Sequence, residues 1–497
     1  MMRVLLPLPV VVPLIAAGAC MASARQRTLQ RAIAVVAFLI TTGASIAMLV
    51  QVDRHGPEAA NMGGWMAPVG IALVADRFST LMLVVASPVL LAVLVFAMGQ
   101  PGTEQEQPAF HPVYLVLAAG VGLSFLTGDL FNLFVAFEMM LTASYVLITL
   151  GGRRDQVQSG MTYVVINLVA STLFVVLLAL LYASLGTVNM ADLAQRMHTV
   201  PQGVRVAFAL LMFVVFGIKA AVFPLFFWLP DSYPTAPTPI TAVFAGLLTK
   251  VGVYCLIRTQ TLIVLPGDRI SGFILTIAAI TMVVGVLGAI AQDDIKRILS
   301  FHIVSQIGYM VLGLGLFTVA GIAAAMLYVI NQIVLKSTLL LVGGLVDHAA
   351  GSTGLKRIGG IARRFPILGW MFLLPALSLA GIPPFSGFVA KLSVVQAGLD
   401  VHQWLVVGIS LVVSALTLFS MSKIWGGAFW GEVELVAEPG DPFTARYGGT
   451  PPMLLATGAL VVASLGLAVA AGPVFGFCER AAADLLEPTA YVKAVLG

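Results

Sequence analysis

Apolar runs of about twenty residues, each bounded by charge, glycine or proline, recur along this chain from one end to the other, and that repetition dictates its solvent. They fall at 3–22, 32–52, 78–99, 112–128, 130–150, 161–185, 204–229, 239–260, 271–291, 298–316, 319–346, 367–397, 404–425 and 452–475. A helix of about 20 residues crosses the hydrocarbon of a bilayer, where the backbone has no partner but its own carbonyls. The runs predict an all-α polytopic membrane protein with about fourteen transmembrane helices. Of the 497 residues, 60% are hydrophobic and 10% charged, which leaves too little polar surface for a soluble domain.

The formal charge of +4 does not point to nucleic acid, because the basic residues outside the runs sit in short connections and tails. The tight clusters, Arg25–Arg27–Arg31, Arg153–Arg154, Lys296–Arg297, Lys356–Arg357 and Arg363–Arg364, all fall in odd-numbered loops. Those loops are expected on the cytoplasmic side, which puts both termini outside. Arg54, Arg77, Arg196, Arg205, Arg258, Arg269 and Arg480 are assigned to the outer side by the same count. The first run resembles a signal peptide, but the arginines that follow it favour a retained span. Cys20, Cys255 and Cys478 lie far apart and match neither a metal motif nor a disulfide framework.

Three connections have some pattern. Residues 51–78 read as a short outer hairpin or amphipathic lid, and 187–197 as a surface helix capped by Asn189. Residues 430–449 are acidic and contain Gly and Pro, and read as a cytoplasmic loop. The chain divides into 1–111 (three helices and the hairpin), 112–260, 271–425, and 426–497 (the loop, the last helix and a tail).

The chemistry lies in charges placed where hydrocarbon is expected. Glu138, Lys219, Lys250, Lys336 and Lys391 stand inside apolar runs, and His302 lies near the start of another. Each charge at the bilayer centre costs about 2.5–3.5 kcal/mol on insertion scales, so these residues are expected to face the bundle interior. Their own helices offer little help. At three and four residues from Lys219 stand Val215, Phe216, Val222 and Phe223; Lys391 sees Gly387, Phe388, Val394 and Val395. With one carboxylate among four lysines, at most one amine is neutralised by an acid at that depth. An amine enclosed by hydrocarbon releases its proton more readily than one in water, which makes a proton relay out of such a set. Lys423 reads as a lysine that snorkels to the interface; for Lys336 snorkelling stays open, as packing does for His302 and a purely structural pairing for Glu138.

Pro224 follows Lys219 by five residues, and Pro383 and Pro384 precede Lys391. Proline lacks the amide hydrogen that continues a helix, so the seventh and twelfth spans are expected to be discontinuous. Unwound backbone at membrane depth lines an enclosed or watered cavity. One broken, lysine-bearing helix in each half suggests two inverted five-helix repeats, spans 4–8 and 9–13.

The segments GGWMAPVGIALVADRFSTLMLV, LTGDLFNLFVAFEMMLTASYVL, GIKAAVFPLFFWLPDSYPTAPTPITAVFAGLLTKVGVY, DDIKRILSFHIVSQIGYM and LAGIPPFSGFVAKL together resemble the antiporter-like proton-channel subunits shared by respiratory complex I, membrane hydrogenases and Mrp-type multisubunit Na⁺/H⁺ antiporters. The resemblance covers nearly the whole chain and is greatest for the D-type subunits of the Mrp branch. It implies a bacterial plasma-membrane protein with no cofactor, working beside A, B, C, E, F and G subunits in sodium and pH homeostasis. It assigns a functional fifth-helix glutamate to Glu138 and functional lysines to Lys219, Lys250 and Lys391, with Lys336 matching a lysine of some members. Gln306 stands where complex I relatives often have a histidine, so the middle of the path is expected to differ and His302 to substitute in part.

The expected function is a proton-translocating subunit of a multisubunit cation/proton antiporter. The alternative keeps the fold and makes the chain a proton-pumping subunit of an NADH:quinone oxidoreductase or membrane hydrogenase. A solute exporter acting alone would instead need a substrate-sized pocket, and a Schiff-base enzyme a phosphate-binding or nucleophile motif that the sequence lacks.

Overall fold

The computed structural model describes residues 2–102, 109–432 and 442–497. Among these residues, eleven helices are long and apolar enough to cross a membrane. Three shorter apolar helices, Leu8–Ala22, Phe110–Leu126 and Pro366–Ala380, stand at the remaining expected runs.

Burial sorts these helices into an inner and an outer set. The apolar windows of Thr238–Leu262, Ile295–Gly315 and Val319–Ala350 are 94%, 94% and 100% buried, whereas those of Arg27–His55, Arg154–Leu185 and Phe443–Val469 are 39%, 39% and 33% buried. Helices surrounded on every side form the core of a bundle, and helices half exposed present their apolar flanks to lipid or partners. The enclosed set carries Lys250, His302 and Lys336. That arrangement answers the cost of burying charge, because none of the three faces hydrocarbon tails.

Helix starts are fixed locally. The side chains of Asp76, Asp129, Asp294 and Thr318 accept hydrogen bonds from the backbone N–H groups of Ser79, Asn132, Arg297 and Gly321. Each such cap contributes about 1 kcal/mol. Asn189 caps Met190–Arg196 through the amides of Ala191 and Asp192, as its sequence suggests.

Both expected helix breaks are present. The Lys219 helix, Gln202–Ala220, ends at Ala221, which adopts left-handed backbone with φ 60°. In the second half Pro366–Ala380 ends at Gly381, φ 86°, before Ser386–Asp400 resumes with Lys391. The end of the Lys219 helix lies directly against Gly252: a Cβ there would stand 2.6 Å from the backbone nitrogen of Ala220. Glycine is required at that crossing by space alone.

Several expectations are corrected. The first run begins as a separate turn, Met2–Leu5, ahead of Leu8–Ala22. The hairpin expected at 51–78 is present and pairs Glu58–Asn61 with Ala72–Ala75, with Trp65 in the connection. The tail is two helices, Ala471–Leu486 and Thr489–Leu496, which pack back onto the bundle through the buried Phe477, Cys478 and Tyr491. Arg258 does not lie in a connection: it is inside the Lys250 helix and forms a buried two-pronged pair with Asp76 at 2.5 and 2.8 Å. The rings of Phe78, Tyr254 and Tyr491 enclose that guanidinium. The acidic part of the 430–449 loop, 433–441, lies outside the described residues.

Candidate functional site

Glu138 lies near the middle of Leu130–Thr149, half-buried on the flank of the bundle. Its Oε1 accepts a 2.5 Å hydrogen bond from Ser171 on the neighbouring helix Arg154–Leu185. Lys219 Nζ donates to the same Ser171 hydroxyl at 3.4 Å, and to the backbone and side-chain oxygens of Asn167, also at 3.4 Å. The ring of Phe137 covers the ammonium at 5.5 Å. Among the described residues no direct ion pair joins Glu138 to Lys219: one serine hydroxyl stands between them, donating to the carboxylate and accepting from the amine. The charges still lie within electrostatic reach of each other.

Lys250 sits just past a π-helical turn, Phe244–Leu248. The widened turn turns the Ala245 carbonyl toward the lysine, whose Nζ donates to it at 2.5 Å and to Thr249 Oγ1 at 3.3 Å. Turns of this type displace one residue from the regular ladder and recur where function needs a backbone group.

Lys336 is fully enclosed in the middle of Val319–Ala350, so it does not reach the interface. Its Nζ has no hydrogen-bond partner among the described residues. The two central helices carry further buried atoms in the same condition, His302 Nδ1 and Gln306 Nε2 on one and Asn331 Nδ2 and Gln332 Oε1 on the other. Lys336 lies within electrostatic reach of Lys250 and Lys391, and His302 within reach of Lys336 and Lys391. His302 Nε2 meets Ser420 Oγ at 2.9 Å, and Gln306 Oε1 accepts from Tyr328 at 2.5 Å. Tyr328 stacks on Tyr309, centroids 5.2 Å apart, and Tyr309 in turn underlies Lys391.

Lys391 reaches back to the second break. Its Nζ donates to the Ala380 carbonyl at 3.0 Å and to Ser414 Oγ at 2.8 Å. Ser386, at the restart of the helix, donates to Asn331 Oδ1 at 2.7 Å and so ties the break to the Lys336 helix.

Lys423 is different in kind. It leaves the bundle edge to meet Asp293 at 2.8 Å and the carbonyls of Ile290 and Gln292, which is the expected snorkelling. Hydrogen bonds from Lys356 and Lys423 hold the loop carboxyl of Asp293 down to about 2.

Sequence reading placed the charged residues but missed those that connect them. Ser171, Asn167, Ser414, Tyr309 and Asn331 are ordinary membrane-helix residues by type. Only the four-residue spacing of Tyr163, Asn167 and Ser171 along one face of an otherwise apolar helix could have marked the first two.

The transmembrane family described as NADH:quinone oxidoreductase/Mrp antiporter matches residues 127–417, which include all six of these charged or titratable positions. The chain is 44% identical over its whole length to the D-type subunit of the Na(+)/H(+) antiporter of Alkalihalophilus pseudofirmus, covering 100% of that protein. It is 35% identical to the subunit of the same name from Bacillus subtilis, over 98% of each chain. Among solved structures, a chain of the Mrp complex from Dietzia sp. DQ12-45-1b superposes with a TM-score of 0.92 at 34% identity, covering 100% of both chains. A chain of the membrane-bound sulfane sulfur reductase, an archaeal respiratory membrane complex, superposes with a TM-score of 0.89 at 26% identity, covering 99% of this chain and 100% of that one. With the family match running through every lysine of the core, this chain belongs to the NADH:quinone oxidoreductase/Mrp antiporter transmembrane family.

Proposed function

We propose that this chain is the proton-translocating subunit of a multisubunit Na⁺/H⁺ antiporter in a bacterial plasma membrane, with both termini outside. The observation that carries the reading is a set of four enclosed lysines, two of them on the most buried helices and one, Lys336, without a hydrogen-bond partner among the described residues, with one carboxylate beside Lys219. A buried polar group without a partner costs about 1–3 kcal/mol, so Lys336, His302, Gln306, Asn331 and Gln332 are satisfied by ordered water. Protons pass between Lys219 and Lys391 by way of Lys250 and Lys336, with His302 and that water bridging the second half. Glu138 acts on Lys219 through Ser171, steadying the ammonium when the three are aligned and releasing it when they part.

A hard cation such as Na⁺ takes several oxygen ligands, and Glu138 is the one carboxylate at depth. The cation path therefore belongs to an interface or to partner subunits, expected as A, B, C, E, F and G. The names of the relatives from Alkalihalophilus pseudofirmus and Bacillus subtilis support this reading. The likeness to a respiratory reductase chain supports the second one, a redox-driven pump. Dissipation of a pH gradient by added Na⁺ or K⁺ in vesicles holding the complete assembly decides between them. Exchange without any redox substrate, lost when this chain is omitted, supports the antiporter; exchange that survives its omission overturns the assignment.

A further inference from the structure

No proline falls within the widened turn Phe244–Leu248, and turns of this type are rare and short wherever they occur. In a regular helix the Ala245 carbonyl is committed to the amide of Thr249, four residues on. Here it receives the Lys250 amine at 2.5 Å. What holds the turn open lies on the neighbouring helix Val319–Ala350, at the residue next to Lys336.

Ser337 is fully buried, and its Oγ donates to the carbonyl of Ala242, two residues ahead of the widened turn, at 3.2 Å. A buried serine or threonine in a helix ordinarily returns its hydroxyl to its own backbone, as the adjacent Thr338 does to Val334 at 2.7 Å. Ser337 gives its proton across the helix interface instead. The turn makes room for it: a Cβ on Gly246 would stand 2.2 Å from Ser337 Oγ and 3.3 Å from the Ile333 carbonyl. Any residue but glycine in the middle of the turn would push the hydroxyl away. Ile333 and Ser337 are four residues apart, so one face of the Lys336 helix lies along the turn. The other widened turn among the described residues, Trp425–Trp430, closes the end of its helix and precedes no lysine of the core.

We propose that Ser337 is a positioning residue for Lys250: its hydroxyl, seated on the bare face of Gly246, locks the widened turn and so keeps the Ala245 carbonyl turned to the amine. This rests on the proton-translocating reading and adds to it a mechanical link between two lysines of the relay. Lys336 and Lys250 lie within electrostatic reach of each other. Through Ser337, a shift of the Lys336 helix also reaches the backbone partner of Lys250 by way of one hydrogen bond.

Ser337→Ala in the complete assembly tests this with two readouts. A structure of the variant assembly is expected to show residues 244–248 closed into regular helix, with Lys250 no longer on the Ala245 carbonyl. In vesicles, the alkaline limb of cation-driven exchange is expected to move about one pH unit toward lower pH, a loss of about tenfold at a fixed pH on that limb, because an amine deprived of an acceptor holds its proton less firmly. Thr338→Val removes the adjacent hydroxyl and is expected to leave the profile in place. Gly246→Ala is expected to shift it as Ser337→Ala does, by displacing the hydroxyl. Gly246→Ala combined with Ser337→Ala relieves that crowding and is expected to recover thermal stability but not the profile. An intact widened turn in Ser337→Ala, or a rate that falls while the profile stays, would overturn the proposal and leave Ser337 a packing residue, as would a native profile in the double variant. If exchange survives omission of this chain, the proton-translocating reading fails, and the geometry of 244–248 in the Ser337→Ala structure still decides whether the serine holds the turn.

Discussion

At the first break the backbone leaves its helix through Ala221, and the N–H of Val222 returns to the Gly217 carbonyl at 3.0 Å. At the second it leaves through Gly381, and the N–H of Ile382 returns to Leu377 at 3.1 Å. Pro224 and Pro384 each follow three residues later. Two interruptions with this much in common nevertheless hold their lysines on opposite sides. Lys219 precedes its break and points sideways, to Asn167, Ser171 and beyond them Glu138. Lys391 follows its break and turns back on it, taking the Ala380 carbonyl and a serine. Each amine takes a backbone carbonyl and a serine hydroxyl, but only at the first break does that serine lead on to a carboxylate. On the proposed relay, the difference teaches that the charge of Lys219 is open to adjustment through Ser171 and Glu138, while among the described residues no carboxylate is linked to Lys391 in the same way.

The largest expected effect comes from removing either end. Lys219→Ala or Glu138→Ala is expected to abolish cation-driven dissipation of a pH gradient while the protein still assembles, and Lys391→Ala to do the same. Full activity in any of these sinks its residue's place on the path. Next comes the link itself. Ser171→Ala is expected to lower exchange about tenfold, on the scale of losing one hydrogen bond to a charged group, and Ser171→Thr to restore most of it. Equal loss in both would mean that Ser171 only packs.

Lys336 separates function from stability. Because a buried amine carries a desolvation cost that an apolar side chain of similar length does not, Lys336→Met is expected to leave thermal stability unchanged or raise it, while exchange falls. A lower melting temperature with normal exchange would make Lys336 a structural residue. The smallest effects are expected at the turns. Ala221→Gly relieves a left-handed alanine and should stabilise by about 1 kcal/mol. Gly381→Ala should destabilise by at least as much, because its Cβ would stand 2.7 Å from Lys391 Cδ. If both substitutions moved stability in the same direction, the likeness of the breaks would be superficial.

Much of this was legible before any coordinates. The apolar runs gave the helices because lipid permits little else, and Pro224 and Pro383–Pro384 marked both breaks because proline cannot continue a helix. The enclosed lysines followed from the cost of charge in hydrocarbon. What stayed hidden was what depends on contacts between distant segments. Arg258, at the end of a run, counts in the sequence as one more basic residue of the outer connections, and only its contact with Asp76, far away in sequence, shows it to be a buried ion pair. The amphipathic tail helix Ala471–Leu486 was hidden by its modest apolar content. The Ser171 link was invisible because a serine in a membrane helix usually bonds to its own backbone. The inverted relation of 112–260 to 271–425 remains a proposal that a two-fold superposition of the halves, matching Ala221 to Gly381, would test.

The central claim is that water joins the enclosed amines, and a structure of the complete assembly that resolves ordered water tests it most directly. The account expects water within about 3 Å of Lys336 Nζ, His302 Nδ1 and Gln306 Nε2, continuous toward Lys250 on one side and Lys391 on the other. Apolar side chains packed against Lys336, with dry gaps on both sides, would contradict it.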